Sequence, residues 1–181
     1  MKLMFISDLH GSAYYAKKLK EIYENESPDK IVSVGDLLYH GPRNDFPKDY
    51  DTKEVTAILN SLKDKIIAVR GNCDSEVDQM VLEFPMMADY TVINADGKNI
   101  FVTHGHLFDP DNLPPLSENG VFVSGHIHIP VVEKKGTTLV LNPGSASLPK
   151  ENNIPSYMIY ENGEFKIIGI ETGEVIKSAR I

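Results

Sequence analysis

The sequence predicts an α/β fold, a sandwich of two β-sheets with helices outside, on three observations. Short apolar, β-branched runs recur along the 181 residues, and each ends in a polar cluster. Segments of helical periodicity separate the first three runs. Toward the C-terminus that periodicity disappears and hairpin signals replace it.

The first run, "KLMFISDLHG" from Lys2, reads as a buried strand. Ser12 is placed to cap a helix presenting Ala16, Leu19 and Ile22 or Tyr23 on one side. A second strand, "KIVSVGDLL", starts at Lys30. Thr52 is placed to cap a second helix, with Val55, Ile58, Leu59 and Leu62 at i, i+3, i+4 and i+7. "KIIAVRGNCD" from Lys65 then completes the alternation expected of βαβ units. Further strands follow in "NIFVTHGH", "GVFVSGHIH" and "TTLVLNPGS". "VVEKKGTTLVLN" and "YMIYENGEFKIIGI" read as hairpins, the second turning at Asn162-Gly163. No repeat and no linker divides the chain, so a single domain over residues 1–181 is expected.

Charge and composition narrow the function. With 18 basic and 26 acidic residues the net charge is −8. That argues against broad electrostatic binding of nucleic acid or an anionic membrane. An anionic substrate would need a local source of positive charge, for which bound metal ions are suited. The single cysteine excludes an intramolecular disulfide framework and fits a reducing cytosol. The opening apolar run, broken by Ser7 and Asp8, is too short for a signal-peptide core or a membrane span. A cytoplasmic protein is expected, with self-association left open.

Polar residues gather where the strands end. Asp8 and His10 follow the first run, Asp36 the second, Asn72 the third, His104 the fourth, and His126 and His128 the fifth. Singly, each has an ordinary reading: an Asp caps a turn or helix, an Asn sits in a turn, a His is a satisfied surface residue. Jointly they do not. All six histidines (10, 40, 104, 106, 126 and 128) lie in or near these clusters. Alternate residues of an extended segment point the same way, which would bring Asp8 to His10 and His126 to His128. Ligands of open α/β sheets bind beyond the carboxyl ends of strands, so the seven groups should meet in one crevice. Imidazoles with carboxylate and amide oxygens suit Mn foremost, with Fe, Co, Ni or Zn as alternatives. Seven donors exceed the needs of one open centre but suit two ions sharing a carboxylate. Such ions, about 3.5–4 Å apart, clamp the attacking and leaving oxygens of an in-line displacement at phosphorus.

The ordered motifs "DLHG", "GDLL", "GNCD", "THGH" and "GHIH" resemble the calcineurin-like metallophosphoesterase superfamily. "GDLLYHGPRN", "VRGNCDSEVDQM", "VTHGHLFDPDNLP" and "LNPGSASLPK" look like its small bacterial phosphodiesterases of the YfcE type, from Lys2 to about Lys150. The resemblance implies a four-layer α/β/β/α sandwich of two mixed sheets. It implies one divalent ion held by Asp8, His10, Asp36 and His128, and a second held by Asp36, Asn72, His104 and His126, with Asp36 bridging. The activity implied is hydrolysis of a small phosphodiester by in-line attack of a metal-bridging hydroxide, with Asp36, Asn72 and His104 at the reacting centre. A phosphomonoesterase or nucleotide hydrolase of the same superfamily, or a non-catalytic metal-binding scaffold, are the alternatives.

Cys73 departs from the pattern, since many superfamily members carry a proton-donating histidine there. A thiol near two cations tends towards thiolate, a poor proton donor, and as a nucleophile it competes with a better-placed hydroxide. Cys73 is therefore expected to be a placeholder in the substrate pocket. His106 is a candidate donor, with a structural role as its alternative. His40 and Arg43 in "YHGPRN" are further candidate substrate contacts, the arginine through bidentate hydrogen bonds to phosphate oxygens. The 107–120 segment, with Pro110, Pro114 and Pro115, is expected to border the crevice.

Overall fold

A computed structural model describes residues 1–181. The first half of the chain forms β1 (Lys2–Ile6), α1 (Ala13–Glu26), β2 (Lys30–Ser33), α2 (Thr52–Asn60), β3 (Ile66–Ala68) and α3 (Glu76–Val81). The middle contributes β4 (Tyr90–Ala95), β5 (Lys98–Thr103), β6 (Val121–Val123), β7 (Pro130–Lys135) and β8 (Thr138–Pro143). β9 (Ser156–Glu161), β10 (Glu164–Gly169) and β11 (Val175–Arg180) end the chain. One sheet has the order β11-β10-β9-β1-β2-β3 and the other β4-β5-β6-β8-β7. Both are mixed: β1, β2 and β3 run parallel in the first, and β5, β6 and β8 in the second. The chain is thus an α/β sandwich of two mixed sheets flanked by few helices.

The strand period of two builds two cores from one sheet. Leu3 and Phe5 of β1, with Met158 and Tyr160 of β9, fill the space between the sheets. Met4, Ile6, Tyr157 and Ile159, the alternating positions, face α1 and α2. Across the sandwich Ile100, Val102, Val121, Val123, Leu139 and Leu141 complete the inter-sheet core.

The helices conform to the expected faces with one change of cap. The Ser12 hydroxyl accepts a hydrogen bond from the Tyr15 amide at 3.4 Å and caps α1. The second helix is capped by Asp51, not Thr52: the Asp51 carboxylate accepts from the Glu54 amide at 3.0 Å. A carboxylate at the cap also meets the positive end of the helix dipole, an advantage a threonine lacks. Val55 and Leu59 are buried, and Leu62, just beyond the end of α2, still packs on the same cluster. At six residues, α3 is too short to show a period; its mark is the Ser75–Asp78 capping box.

Two further points differ from expectation. The outer face of the second sheet carries no helix. Phe101, Phe122 and Val140 are covered there by Phe108, Leu113 and Leu116. Pro110, Pro114 and Pro115 lack the amide protons a helix requires, so the 107–120 segment makes the fourth layer as irregular chain. The hairpin of β4 and β5 was also unforeseen. Its turn, Asp96-Gly97, has φ of 51° and 78°, as does Asn162-Gly163 at 51° and 77°, both matching a type I′ connection.

Candidate metal centre

The parallel strands deliver the polar residues to one edge. Asp8 and His10 leave β1, Asp36 leaves β2, Asn72 leaves β3, His104 leaves β5, and His126 and His128 leave β6. Their convergence does not come from pleating. Asp8, His10, Asp36, His126 and His128 have φ of 53°, 49°, 58°, 70° and 61°, so the backbone turns through the left-handed region at each. These kinks replace the extended geometry expected from alternate spacing. Leu9 between the first pair is fully buried, while Ile127 between the second is exposed.

Three imidazoles are held in the same way. Nδ1 lies 2.7 Å from the Tyr39 carbonyl in His10, 2.7 Å from the Val34 carbonyl in His104, and 2.6 Å from the Leu148 carbonyl in His128. A carbonyl only accepts, so each Nδ1 carries a proton and each Nε2 points inward, where a neutral ring offers its lone pair. The Nε2 atoms of His10 and His128 face each other at 3.2 Å. His128 Nε2 is 3.2 Å and His10 Nε2 3.7 Å from Asp8 Oδ1, a buried oxygen with no hydrogen-bond partner. Two ring nitrogens and a carboxylate oxygen converging on one point suit a cation between them. Divalent metal, the class the donor set suits, fits.

A second group of donors adjoins the first. Asp36 Oδ2 lies 3.7 Å from His10 Nε2 and 3.4 Å from His104 Nε2, so it stands between the two groups. The amide oxygen of Asn72 lies 3.1 Å from His104 Nε2. The His126 ring sits 5.1 Å from that of His104, centre to centre, on the crevice wall.

Groups outside this set fix its geometry. Asp8 Oδ2 accepts from the Ser7 hydroxyl (2.5 Å) and the His126 amide (3.1 Å). The Asp8 carbonyl accepts from Ser145 at 2.7 Å and Ser147 at 3.2 Å. Asp74 is buried and accepts three backbone amides, those of Asp36 (2.8 Å), Leu37 (2.9 Å) and Gly71 (2.7 Å). Gly71 is required by contact: a Cβ there would stand 2.0 Å from Asp36 Oδ1. Asp74 and the two serines were absent from the expected site. The aspartate of "GNCD" and the serines of "NPGSAS" carried the only signals for them.

The charges interact strongly. Burial pushes the Asp8 and Asp36 carboxyls up, but neighbouring histidines outweigh it and hold both below the usual range. His104 resists the effect of its burial and is pushed up to about 9, through its hydrogen bond to Asp36 and the nearby carboxylates. Burial lowers His10 and His126. Asp74 is pushed up to about 6 by burial and the Asp36 charge, against the pull of its amide donors.

A crevice of about 430 Å³ opens over the centre. Arg43 and Cys73 line it, as do Lys150, Asn44 and Ile127, which the sequence reading did not single out. Burial and then Asp36 push the Cys73 thiol up to about 12, so its acidic neighbours by themselves favour the protonated thiol. Its sulfur lies within 4.8 Å of donor atoms of His10 and Asp36, close enough to share an ion with them. His40 is not among the residues lining the crevice; its ring packs on Phe46 at 4.5 Å and Tyr50 at 5.4 Å. His106 is half-buried, its ring 5.5 Å from that of His104, and it also lies outside the lining.

The sequence profile of the calcineurin-like phosphoesterase superfamily domain matches residues 1–164. Phosphodiesterase YfcE of Escherichia coli K12 is 44% identical over 181 residues, which is 100% of this chain and 98% of that protein. A solved structure of the E. coli phosphoesterase YfcE superimposes with a TM-score of 0.98 over 100% of both chains. Phosphodiesterase MJ0936 of Methanocaldococcus jannaschii is 28% identical over 153 residues, covering 80% of this chain and 83% of its own.

Proposed function

The chain belongs to the calcineurin-like phosphoesterase superfamily, and from that we propose that it is a phosphodiesterase working with two divalent metal ions, Mn foremost, in a single domain in the cytoplasm. The observation that carries the reading is the inward set of Nε2 lone pairs beside the unpartnered Asp8 Oδ1. Asp8, His10, Asp36 and His128 would hold one ion; Asp36, Asn72, His104 and His126 would hold the other. Bound there, the ions supply Lewis acidity and acidify a water near neutral pH.

The remaining work belongs to the chain. The carbonyl-anchored imidazoles keep their orientation without reorganisation when substrate arrives. Arg43 at the crevice wall offers a forked donor to an anionic group of the substrate. No helix is long and apolar enough to cross a membrane. The acidic surface disfavours broad nucleic-acid binding, and a small diester is the substrate class proposed.

Chelator-stripped protein should be inactive on a chromogenic aryl phosphodiester and regain turnover when Mn, Co, Ni, Zn or Mg is added back singly, with the matching monoester cleaved less well. Silence with every ion, on protein shown to bind metal, would favour a scaffold.

Cys73→Ser should keep aryl diester turnover to within about threefold, because a good leaving group needs no proton donor and a metal-held water is the better-placed nucleophile. A loss of about a hundredfold would instead give the sulfur a direct role at the centre. Cys73→His should raise activity on diesters with poor leaving groups, where a protonated imidazole can donate to the departing oxygen.

A further inference from the structure

The motif "LNPGSASLPK" ends in a lysine that the proposed chemistry does not use. The backbone of Lys150 is pinned on both sides. Its amide donates to the carbonyl of His128 at 3.1 Å. Its carbonyl accepts from the Asn153 amide at 3.1 Å and from the Asn153 side chain at 2.8 Å. Glu151 and Asn152 turn through the left-handed region at φ of 53° and 60° to close this loop. An ordinary surface lysine needs no such anchoring. Here the anchor is a residue of the metal centre, so the root of the side chain keeps a fixed place beside it.

The charge pattern agrees. Arg43 and Lys150 are both exposed and line the crevice, and neither takes part in any of the chain's ion pairs. Asp36 is the only carboxylate in that lining, and it faces the metal position. On a chain of net charge −8, the crevice mouth is therefore a small basic island. A scissile diester carries one negative charge and meets the metal ions; two further unpaired cations exceed what it needs.

We propose that Lys150, together with Arg43, forms a second anion subsite, so that the enzyme selects diesters one arm of which carries a further phosphate or carboxylate. The substrate class rests on the phosphodiesterase reading; the subsite itself does not. A lysine with three freely turning donors accepts either anion, whereas Arg43 adds a planar fork suited to phosphate.

The test is calorimetric binding to the Mn-loaded protein, with metal content checked before and after. The probes are propylphosphonate, propane-1,3-bisphosphonate and 4-phosphonobutanoate. The wild type should bind at least one of the two doubly anionic probes about tenfold or more tightly than propylphosphonate at low salt, with the advantage shrinking as salt is raised. Preference for the bisphosphonate alone would make the subsite a phosphate site, and an equal preference a general anion site. Lys150→Met should reduce the advantage to less than about threefold, and Lys150→Arg should retain it. Equal binding of all three probes by the wild type, or an advantage that survives in Lys150→Met, would overturn the proposal. A preference that Lys150→Met removes supports the subsite even if no diester is turned over, and that silence would count against the esterase reading alone.

Discussion

Asp36→Asn should lower kcat on an aryl diester by roughly a thousandfold and leave the purified protein with about one metal ion per chain in place of two. The carboxylate stands between the donor groups, with Oδ2 3.7 Å from His10 Nε2 and 3.4 Å from His104 Nε2. Its other oxygen accepts the Cys73 amide at 2.8 Å. An amide is nearly isosteric and keeps that hydrogen bond, so the fold should persist. It lacks the charge, however, and with its one oxygen held by the Cys73 amide it turns an N–H toward two cations. Metal ions contribute several kcal/mol of transition-state stabilisation, and about 4 kcal/mol corresponds to that thousandfold. The check is steady-state kinetics beside elemental analysis and a thermal melt. Turnover within about tenfold of wild type at full metal content would remove Asp36 from the bridging role.

Asp74→Ala should have the largest effect on stability. The three amides that Asp74 accepts belong to Asp36, Leu37 and Gly71, and alanine leaves all of them without a partner in a buried place. Each orphaned amide costs about 1–3 kcal/mol, so a loss of about 3–5 kcal/mol is expected by denaturant titration. Activity should fall further than the folded fraction does, because the Asp36 backbone is no longer tied to the β3 loop. Asp74→Asn keeps one accepting oxygen and turns an N–H toward a donor, so it should fall between wild type and alanine. A destabilisation below about 1 kcal/mol for Asp74→Ala would mean that water or a shifted loop meets those amides instead.

Most of the architecture was legible because its carriers are periodic. The strands β1, β2, β3, β5, β6 and β8 follow from apolar runs, and Asn162-Gly163 specifies its turn by backbone chemistry alone. β4 escaped notice because its residues Tyr90, Thr91, Val92, Ile93, Asn94 and Ala95 alternate weakly, and only Asp96-Gly97 after it marks the hairpin. The edge where the donors meet was legible from their positions at strand ends. How they meet was not: left-handed backbone at Asp8 or His126 is decided by tertiary contacts such as Gly125, where a Cβ would stand 1.9 Å from Ser7 Oγ. His40 shows the limit of reading by sequence distance. It lies only four residues past Asp36, yet its ring packs with Phe46 and Tyr50 and does not line the crevice.

The five left-handed residues of the centre bear on how this sequence is kept. A side chain in that region costs roughly 1 kcal/mol relative to glycine, so five of them cost on the order of 5 kcal/mol. Net folding free energies of ordinary domains are only about 5–15 kcal/mol. Glycine at positions 8, 10, 36, 126 and 128 would relieve that strain but would remove five of the donor side chains, so the rest of the fold must carry the cost of holding them where they meet.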